Sequence, residues 1–470
     1  MTGLVQNGNG HKNNMTRIVG QFNTDMSTIL SMKLKLEQSD KTALIFMGGS
    51  ARVKPNGQAD RTFFDYLPFA SKNRPCKYEQ ADELAYDLAK KKYALVMGYG
   101  SGFMEAAAKG ACKIPDSLVF GVQTQNLART EGFSDENQIR GYVVNSMEAR
   151  ELAMLANSSA AILFPGGLGT LDELVQVLTL MQLRQIPPMP IILMGGKKRW
   201  QGFFDWLHDG PIKAGMINAW GQQLLKEYVY FPKTDAEVVD ILDNRRGHPA
   251  PLDVFKMTDL FSDDLKKAFE SMEKLQHPVI AFFGAGLPMD KTHPYYQSAY
   301  QMARRAVGQS WKIYSDGYIG IMEAAHQGAS DAGFESVGLV NPNDWPQNPE
   351  AQQLYIPMSL LCTRNHILRE SDADIIFPGG FGTMNNMLKN AVGVQIGETR
   401  HRPILLMHSE FWTAGKHEGL IGWMNREMLD NGYIDKSLFD IMILVPNHGK
   451  GFDRAIDIIK QSLNDADNAA

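Results

Sequence analysis

The sequence predicts an α/β protein built as two tandem domains, each a doubly wound parallel sheet. Three observations predict it. FPGGLGT at Phe164–Thr170 recurs as FPGGFGT at Phe377–Thr383. Both motifs end short apolar runs that alternate with longer amphipathic stretches. The chain has 470 residues, which at about 100–200 residues per domain is enough for two or three domains.

The repeat extends to both flanks. GFMEAAAKGA (Gly102–Ala111) matches GIMEAAHQGA (Gly320–Ala329), and PIILM (Pro190–Met194) matches PILLM (Pro403–Met407). Three blocks in the same order mark an internal duplication, whereas a chance likeness between glycine turns would explain one. In the first copy the apolar runs are TALIFMG, YALVMG, SLVFGV, AAILFPG and PIILMGG. They answer to VIAFFGAG, WKIYSDG, SVGLV, ADIIFPGG and PILLM in the second. Short apolar runs ending in glycine, separated by helical segments, are buried parallel strands of βαβ units. Each copy is therefore Rossmann-like, with ligands expected outside the carboxyl ends of the strands.

The expected division is a flexible, polar segment over 1–40, one domain over 41–248 and a second over 249–470. The boundary falls at NRRGHPAPLD (Asn244–Asp253), where charge, glycine and proline interrupt the pattern. The first copy also carries an extra stretch, ARVKPNGQADRTFFDYLPFASKNRPCKYEQ, that reads as a surface loop or as a lid.

Composition narrows the function. Hydrophobic residues are 44% of the chain and charged residues 21%, which excludes disorder as the main state. With 47 Lys+Arg against 52 Asp+Glu and a net charge of −5, there is no footprint for a nucleic-acid polymer. Cys76, Cys112 and Cys362 are odd in number and widely spaced, fitting neither a disulfide framework nor a four-cysteine zinc site. No metal is expected. The start, MTGLVQNGNGHKNN, has no basic region followed by an apolar one, and no apolar run reaches about 18 residues. The expectation is a cytoplasmic protein away from membranes.

The glycines carry the chemistry. Gly166-Gly167-Leu168-Gly169 joins a buried strand to a helix expected to begin near Thr170. Exposed amides at such a helix start bind phosphate, while a tight turn needing glycine torsions is the other reading. A second turn, Gly98-Tyr99-Gly100-Ser101-Gly102, also follows a strand and opens a helix, which favours phosphate. Gly48 and Ser50, where the first strand ends, and Met147 complete the nucleotide-binding candidates. There is no GxGxxG with a suitably spaced acidic residue and no GK[ST], so NAD and ATP-motor readings lose ground.

Thr170-Leu171-Asp172-Glu173 matches a capping box. A carboxylate in that first turn, beside a phosphate, calls for a counter-cation. Arg150, on the preceding helix SMEARELAMLA, can supply it. Glu105 in MEAA is a further acidic candidate whose alternative is a helix-surface role.

Taken together, these residues resemble the LONELY GUY family, also called lysine-decarboxylase-like or nucleotide 5′-monophosphate nucleosidases. Its pattern is PGGxGTxxE with an arginine on the helix before it. The MEAA and MPIILMGG blocks look more like its longer bacterial purine/pyrimidine nucleotide branch than its short cytokinin-activating branch. The resemblance covers Thr42–Asp240 and Val279–Lys460. It implies hydrolysis of a nucleoside 5′-monophosphate to a free base and ribose 5-phosphate, with no cofactor. It also implies that Glu173 is the catalytic glutamate, Arg150 the catalytic arginine, and Gly166, Gly167, Gly169 and Thr170 the phosphate loop. Glu151 stands where short members often carry lysine. The decarboxylase label would need pyridoxal phosphate, and no residue pattern argues separately for a Schiff-base lysine.

The second copy departs from the pattern. Asn386 stands in the place of Glu173 and Asp316 in that of Gly98. Arg364 lies 14 residues before Pro378, where Arg150 lies 15 before Pro165, a difference of about 100° on a helix. The expectation is one competent site in the first copy, with the second completing an internal pseudo-dimer and further self-association following. The alternative is a nucleotide-binding regulatory or carrier protein without hydrolase activity.

Overall fold

Strands made of Val, Ile, Leu, Phe and Met without polar interruption are stable only inside a parallel sheet covered on both faces. A computed structural model of the chain places them there. It describes residues 25, 27–41, 43–53, 78–125, 127, 139–155, 158–244, 278–340, 354–357, 368–369, 371–447 and 449–469. The first half forms β1 (Ala43–Gly48), β2 (Tyr93–Gly98), β3 (Val119–Thr124), β4 (Arg140–Val144), β5 (Ser158–Leu163), β6 (Ile191–Leu193) and β7 (Val229–Tyr230). They make one seven-stranded sheet in the order β4-β3-β2-β1-β5-β6-β7.

The second half repeats this with β8 (Val279–Phe283), β9 (Lys312–Ser315), β10 (Ser336–Val340), β11 (Leu354–Pro357), β12 (Ala373–Ile376), β13 (Ile404–Met407) and β14 (Met442–Val445). Its order is β11-β10-β9-β8-β12-β13-β14. All the described strand pairings are parallel. The α/β expectation therefore holds for both copies. In each sheet the order reverses beside the first strand, so a crevice opens outside the carboxyl ends of β1 and β5, and of β8 and β12.

The helices that matter for the site are α1 (Phe103–Cys112), α2 (Met147–Leu155), α3 (Leu168–Gln182) and α4 (Lys197–Leu207) in the first half. The second half supplies α5 (Ile321–Ser330), α6 (Phe381–Gln395) and α7 (Gly419–Met424). The two motif helices, α3 and α6, pack against each other, so the halves meet directly behind their glycine loops.

Matched contacts on both sides of this junction follow the repeat. Trp206 Nε1 donates to the Phe411 carbonyl at 2.9 Å, and Trp423 Nε1 donates to the Arg199 carbonyl at 2.8 Å. Trp206 stacks on Trp412 at 5.9 Å between ring centres, and Trp200 lies 6.1 Å from Trp423. A Cβ on Gly167 would press on the Tyr433 carbonyl, and one on Gly380 on the Met216 carbonyl.

One expectation fails. The segment 1–40 is not flexible throughout, because residues 27–37 form a helix that buries Ile29 and Met32 in the core. Those two side chains are three apart and share one helical face, an apolar stripe that needs a partner. Asp25 helps hold the segment by accepting from the Asn145 amide at 3.0 Å and its side chain at 2.8 Å. Most of the extra stretch of the first copy, the linker after Asn244, Arg364, Cys76 and Cys362 lie outside the described residues. No helix among the described residues is long and apolar enough to cross a membrane.

Candidate active site at the carboxyl edge of the first sheet

Arg150 arrives from the first turn of α2. Ser146 starts that helix, its Oγ accepting the Ala149 amide at 3.1 Å and its carbonyl the Arg150 amide at 3.0 Å, as an N-terminal cap does. The side chain then reaches β3, where Nε donates to the Val122 carbonyl at 3.2 Å. Its Nη1 stands 3.9 Å from Glu173 Oε1. Arg150 is 5% exposed and Glu173 7%, so the pair is largely withdrawn from water, where opposite charges attract more strongly. At that separation the two groups are associated without the tight two-point bonding of a structural arginine–carboxylate pair.

Two glycines create the space for this pair. Gly48 ends β1 and Gly98 ends β2. A Cβ on Gly48 would fall against Glu173 Oε2, and one on Gly98 against Arg150 Nη2. Glycine is needed here for close approach. The contact of Gly98 is thus with the guanidinium, a role the sequence did not reveal.

The motif loop differs from expectation in one respect. Helix α3 starts at Leu168 with Gly167 as its N-cap, and no side chain caps it. The capping box is therefore not formed, because Thr170 already lies inside the first helical turn. Its Oγ1 instead fills the place a Cβ on Gly166 would take, while nothing lies within 4 Å of the corresponding point on Gly169. The Ser50 amide donates to the Pro165 carbonyl at 3.3 Å, and the Ser50 carbonyl accepts the Phe103 amide at 3.1 Å. These bonds lace the end of β1 to the motif and to α1. In the neighbouring turn Gly100 is buried, Ser101 Oγ donates to the Ala51 carbonyl at 2.7 Å, and Gly102 takes φ 75°.

Two candidates are engaged elsewhere. Glu105 pairs with Lys109 one turn along α1 at 2.6 Å, the helix-surface role. The Met147 amide donates to Glu398 Oε1 of the second half at 3.0 Å.

The corresponding place in the second half is filled. The Phe377 amide bonds the Phe283 carbonyl as the Phe164 amide bonds that of Gly48, so Phe283 stands where the first half has Gly48. Asp316 stands in the place of Gly98, and Asn386 Nδ2 donates to its Oδ2 at 2.8 Å. Side chains thus occupy both positions that glycine keeps open in the first half.

Sequence reasoning missed a cluster of charges at the junction. Lys389 of α6 is fully buried and pairs with Glu151 and, at 2.9 Å, with Asp172. Arg369 Nε and Nη2 lie 2.9 and 3.0 Å from the Glu148 carboxylate, and its Nη1 lies 3.2 Å from Glu398. Burial pushes the Glu151 carboxyl up to about 8, against the pull of Lys389 and with the help of Asp172. Burial also lowers the Lys389 pKa, but the two carboxylates outweigh it and hold the ammonium above the ordinary lysine range. The available signal was the lysine itself, a lone charge in the otherwise neutral FGTMNNMLKNAVGVQ.

The model of a family described as possible lysine decarboxylase matches residues 104–240 and 322–454, more than half of the chain. The chain belongs to this family, the LONELY GUY family. Both copies are LONELY GUY-like, since the model matches each. A cytokinin riboside 5′-monophosphate phosphoribohydrolase of Arabidopsis thaliana is 23% identical over 181 residues, 38% of this chain and 81% of its own. One of the same name from Mycobacterium tuberculosis is 24% identical over 158 residues, 32% of this chain and 79% of its own. Among solved structures, the molybdenum cofactor binding protein from Rippkaea orientalis matches at 20% identity with a TM-score of 0.29, covering 40% of this chain and 99% of that one.

Proposed function

We propose that this LONELY GUY protein hydrolyses the N-glycosidic bond of a nucleoside 5′-monophosphate, releasing a free base and ribose 5-phosphate, at a single site in its first half. The observation that carries this reading is the buried Arg150–Glu173 pair, 3.9 Å apart, beside a glycine loop that opens a helix. The names of the relatives in Arabidopsis and Mycobacterium point to the same reaction class.

The chemistry follows from the groups present. The loop amides at the start of α3 suit the 5′-phosphate, since a helix amino terminus is an anion site. The ribosyl–base bond breaks with its electron pair going to the base, which takes up a proton, and water adds to the anomeric carbon and loses one. The transition state has oxocarbenium character, and Glu173 is the anion that stabilises it and orients the ribose hydroxyls or the water. Arg150 offers a planar cation to the phosphate or to the departing base.

Lysine-based chemistry finds no support at this site. Lys389 is buried between the Glu151 and Asp172 carboxyl groups, which hold its ammonium above the ordinary lysine range, whereas a Schiff-base lysine needs a lowered pKa and access. The two halves form an internal pseudo-dimer in this reading, supported by the matched tryptophan contacts and the α3–α6 packing.

The test is incubation with AMP, GMP, CMP, UMP and IMP, with free base and ribose 5-phosphate assayed. Cleavage of at least one is expected, and Glu173→Gln should lose most turnover while still binding. Binding without any cleavage would replace this reading with that of a carrier.

A further inference from the structure

Four residues of α2 face two directions. Arg150 reaches toward β3 and Glu173. Met147, Glu148 and Glu151 are all held by the second half, through Glu398, Arg369 and Lys389 respectively. Lys389 has a further partner, Asp172, on α3. Its ammonium therefore bridges α2 and α3 through the residues directly following Arg150 and directly preceding Glu173.

The repeat itself shows that the contact between α3 and α6 does not require charge. Position for position in the two motifs, Asp172 corresponds to Asn385 and Gln176 to Lys389. The Asp172–Lys389 ion pair therefore has a mirror image across the junction, the hydrogen bond from Asn385 Nδ2 to Gln176 Oε1. One member of this related couple is neutral and the other is charged, and both are fully or almost fully buried. A neutral amide pair satisfies the same geometry without the desolvation cost of burying ions. The charged version lies on the side where the catalytic pair sits. It also gathers a third group, Glu151 of α2.

We infer that Lys389, supplied by the half without a catalytic glutamate, is a positioning residue for the half that has one. It clamps α2 to α3 so that the Arg150 guanidinium and the Glu173 carboxylate stay in register. This inference rests on the proposed hydrolase reading and deepens it, since the second half becomes part of the catalytic apparatus without touching substrate. A displacement of about 1 Å in such a pair is enough to cost about 10²-fold in rate.

Lys389→Met alone leaves two carboxyl groups buried against each other without a cation and risks misfolding. The decisive variant is the neutral triple Glu151→Gln/Asp172→Asn/Lys389→Gln, which copies the chemistry of the Asn385–Gln176 side. The expected result is a cooperative melt close to that of the unaltered chain, with KM for the monophosphate changed less than threefold and kcat lowered at least tenfold. A folded triple variant with unaltered kcat overturns the inference.

Hydrogen exchange over residues 147–155 and 168–182 provides a readout independent of turnover. Faster exchange in the triple variant at an unchanged melting temperature supports the clamp, and unchanged exchange overturns it. If the unaltered chain cleaves no monophosphate, the hydrolase reading is what fails, and the exchange comparison still decides whether Lys389 holds the two helices in register.

Discussion

Gly98 and Arg150 are fitted to each other: the side chain that one lacks is the space that the guanidinium of the other occupies. The same position in the second half holds Asp316, hydrogen-bonded to Asn386. The difference between the halves is therefore steric as well as chemical. Restoring a glutamate at Asn386 would not by itself recreate the site, because Asp316 and Phe283 stand where the glycines are needed.

Gly98→Ala should leave the fold intact, since Gly98 is not among the residues with positive φ and its Cβ would meet two long flexible side chains, the Arg150 guanidinium and Met104 Sδ at 2.7 Å, rather than branched core groups. Turnover is expected to fall roughly 10²-fold with little change in melting temperature. Because the damage acts through Arg150, adding Gly98→Ala to Arg150→Ala should cost little more than Arg150→Ala alone. Steady-state kinetics on the four proteins checks this, and full additivity would show that Gly98 acts elsewhere.

Gly48→Ala should behave differently. Its Cβ meets the Glu173 carboxylate and also Leu163 Cδ2 at 2.9 Å and the Phe46 ring at 3.1 Å, so the core has little room to yield. Overpacking of this kind costs about 1–3 kcal/mol. Both turnover and the urea midpoint are expected to drop, which separates this variant from Gly98→Ala.

Stability should depend on pH through Glu151. Its carboxyl is raised to about 8, first by burial and further by Asp172, while Lys389 opposes the rise. The folded state therefore keeps a proton that the unfolded chain releases near an ordinary carboxyl pKa of about 4.3. The stabilisation is complete below that value, declines above it and is gone once the pH has passed about 8. Urea midpoints measured from pH 5 to 9 should fall as pH rises, and Glu151→Gln should flatten the slope. An identical slope in the two proteins would show that Glu151 titrates normally.

The sequence made the fold legible wherever a strand is buried on both faces. Ten apolar runs became β1, β2, β3, β5, β6, β8, β9, β10, β12 and β13. The outer strands β4, β7, β11 and β14 escaped notice, although β14, MILV, is as apolar a run as the inner strands. In β4, Arg140 and Gly141 are exposed and Val144 alone is fully covered, and β7 is two residues long. The candidate site was legible only as motif residues, Arg150 and Glu173 among them. The function of Gly48 and Gly98 was not, because a missing Cβ carries no sign of which side chain comes from elsewhere to use the space. Lys389, Glu151 and Asp172 come from three different helices, so no local pattern could join them. The helix at 27–37 was masked by its position after a polar, glycine-rich start.

The junction between the halves is open to a direct test, because the repeat supplies its own control. Trp206 and Trp423 each donate an indole N–H to a main-chain carbonyl of the opposite half and each lie against a tryptophan of that half. Both are buried, at 1% and 3% exposure, so truncation to alanine should cost about 3–5 kcal/mol through lost burial and the cavity left behind. If the halves fold as one pseudo-symmetric unit, Trp206→Ala and Trp423→Ala should lower the urea midpoint by similar amounts in a single transition. Circular dichroism and tryptophan fluorescence followed together provide the check. Two transitions, only one of them shifted by Trp206→Ala, would mean that each half holds its own fold and that the junction only docks them.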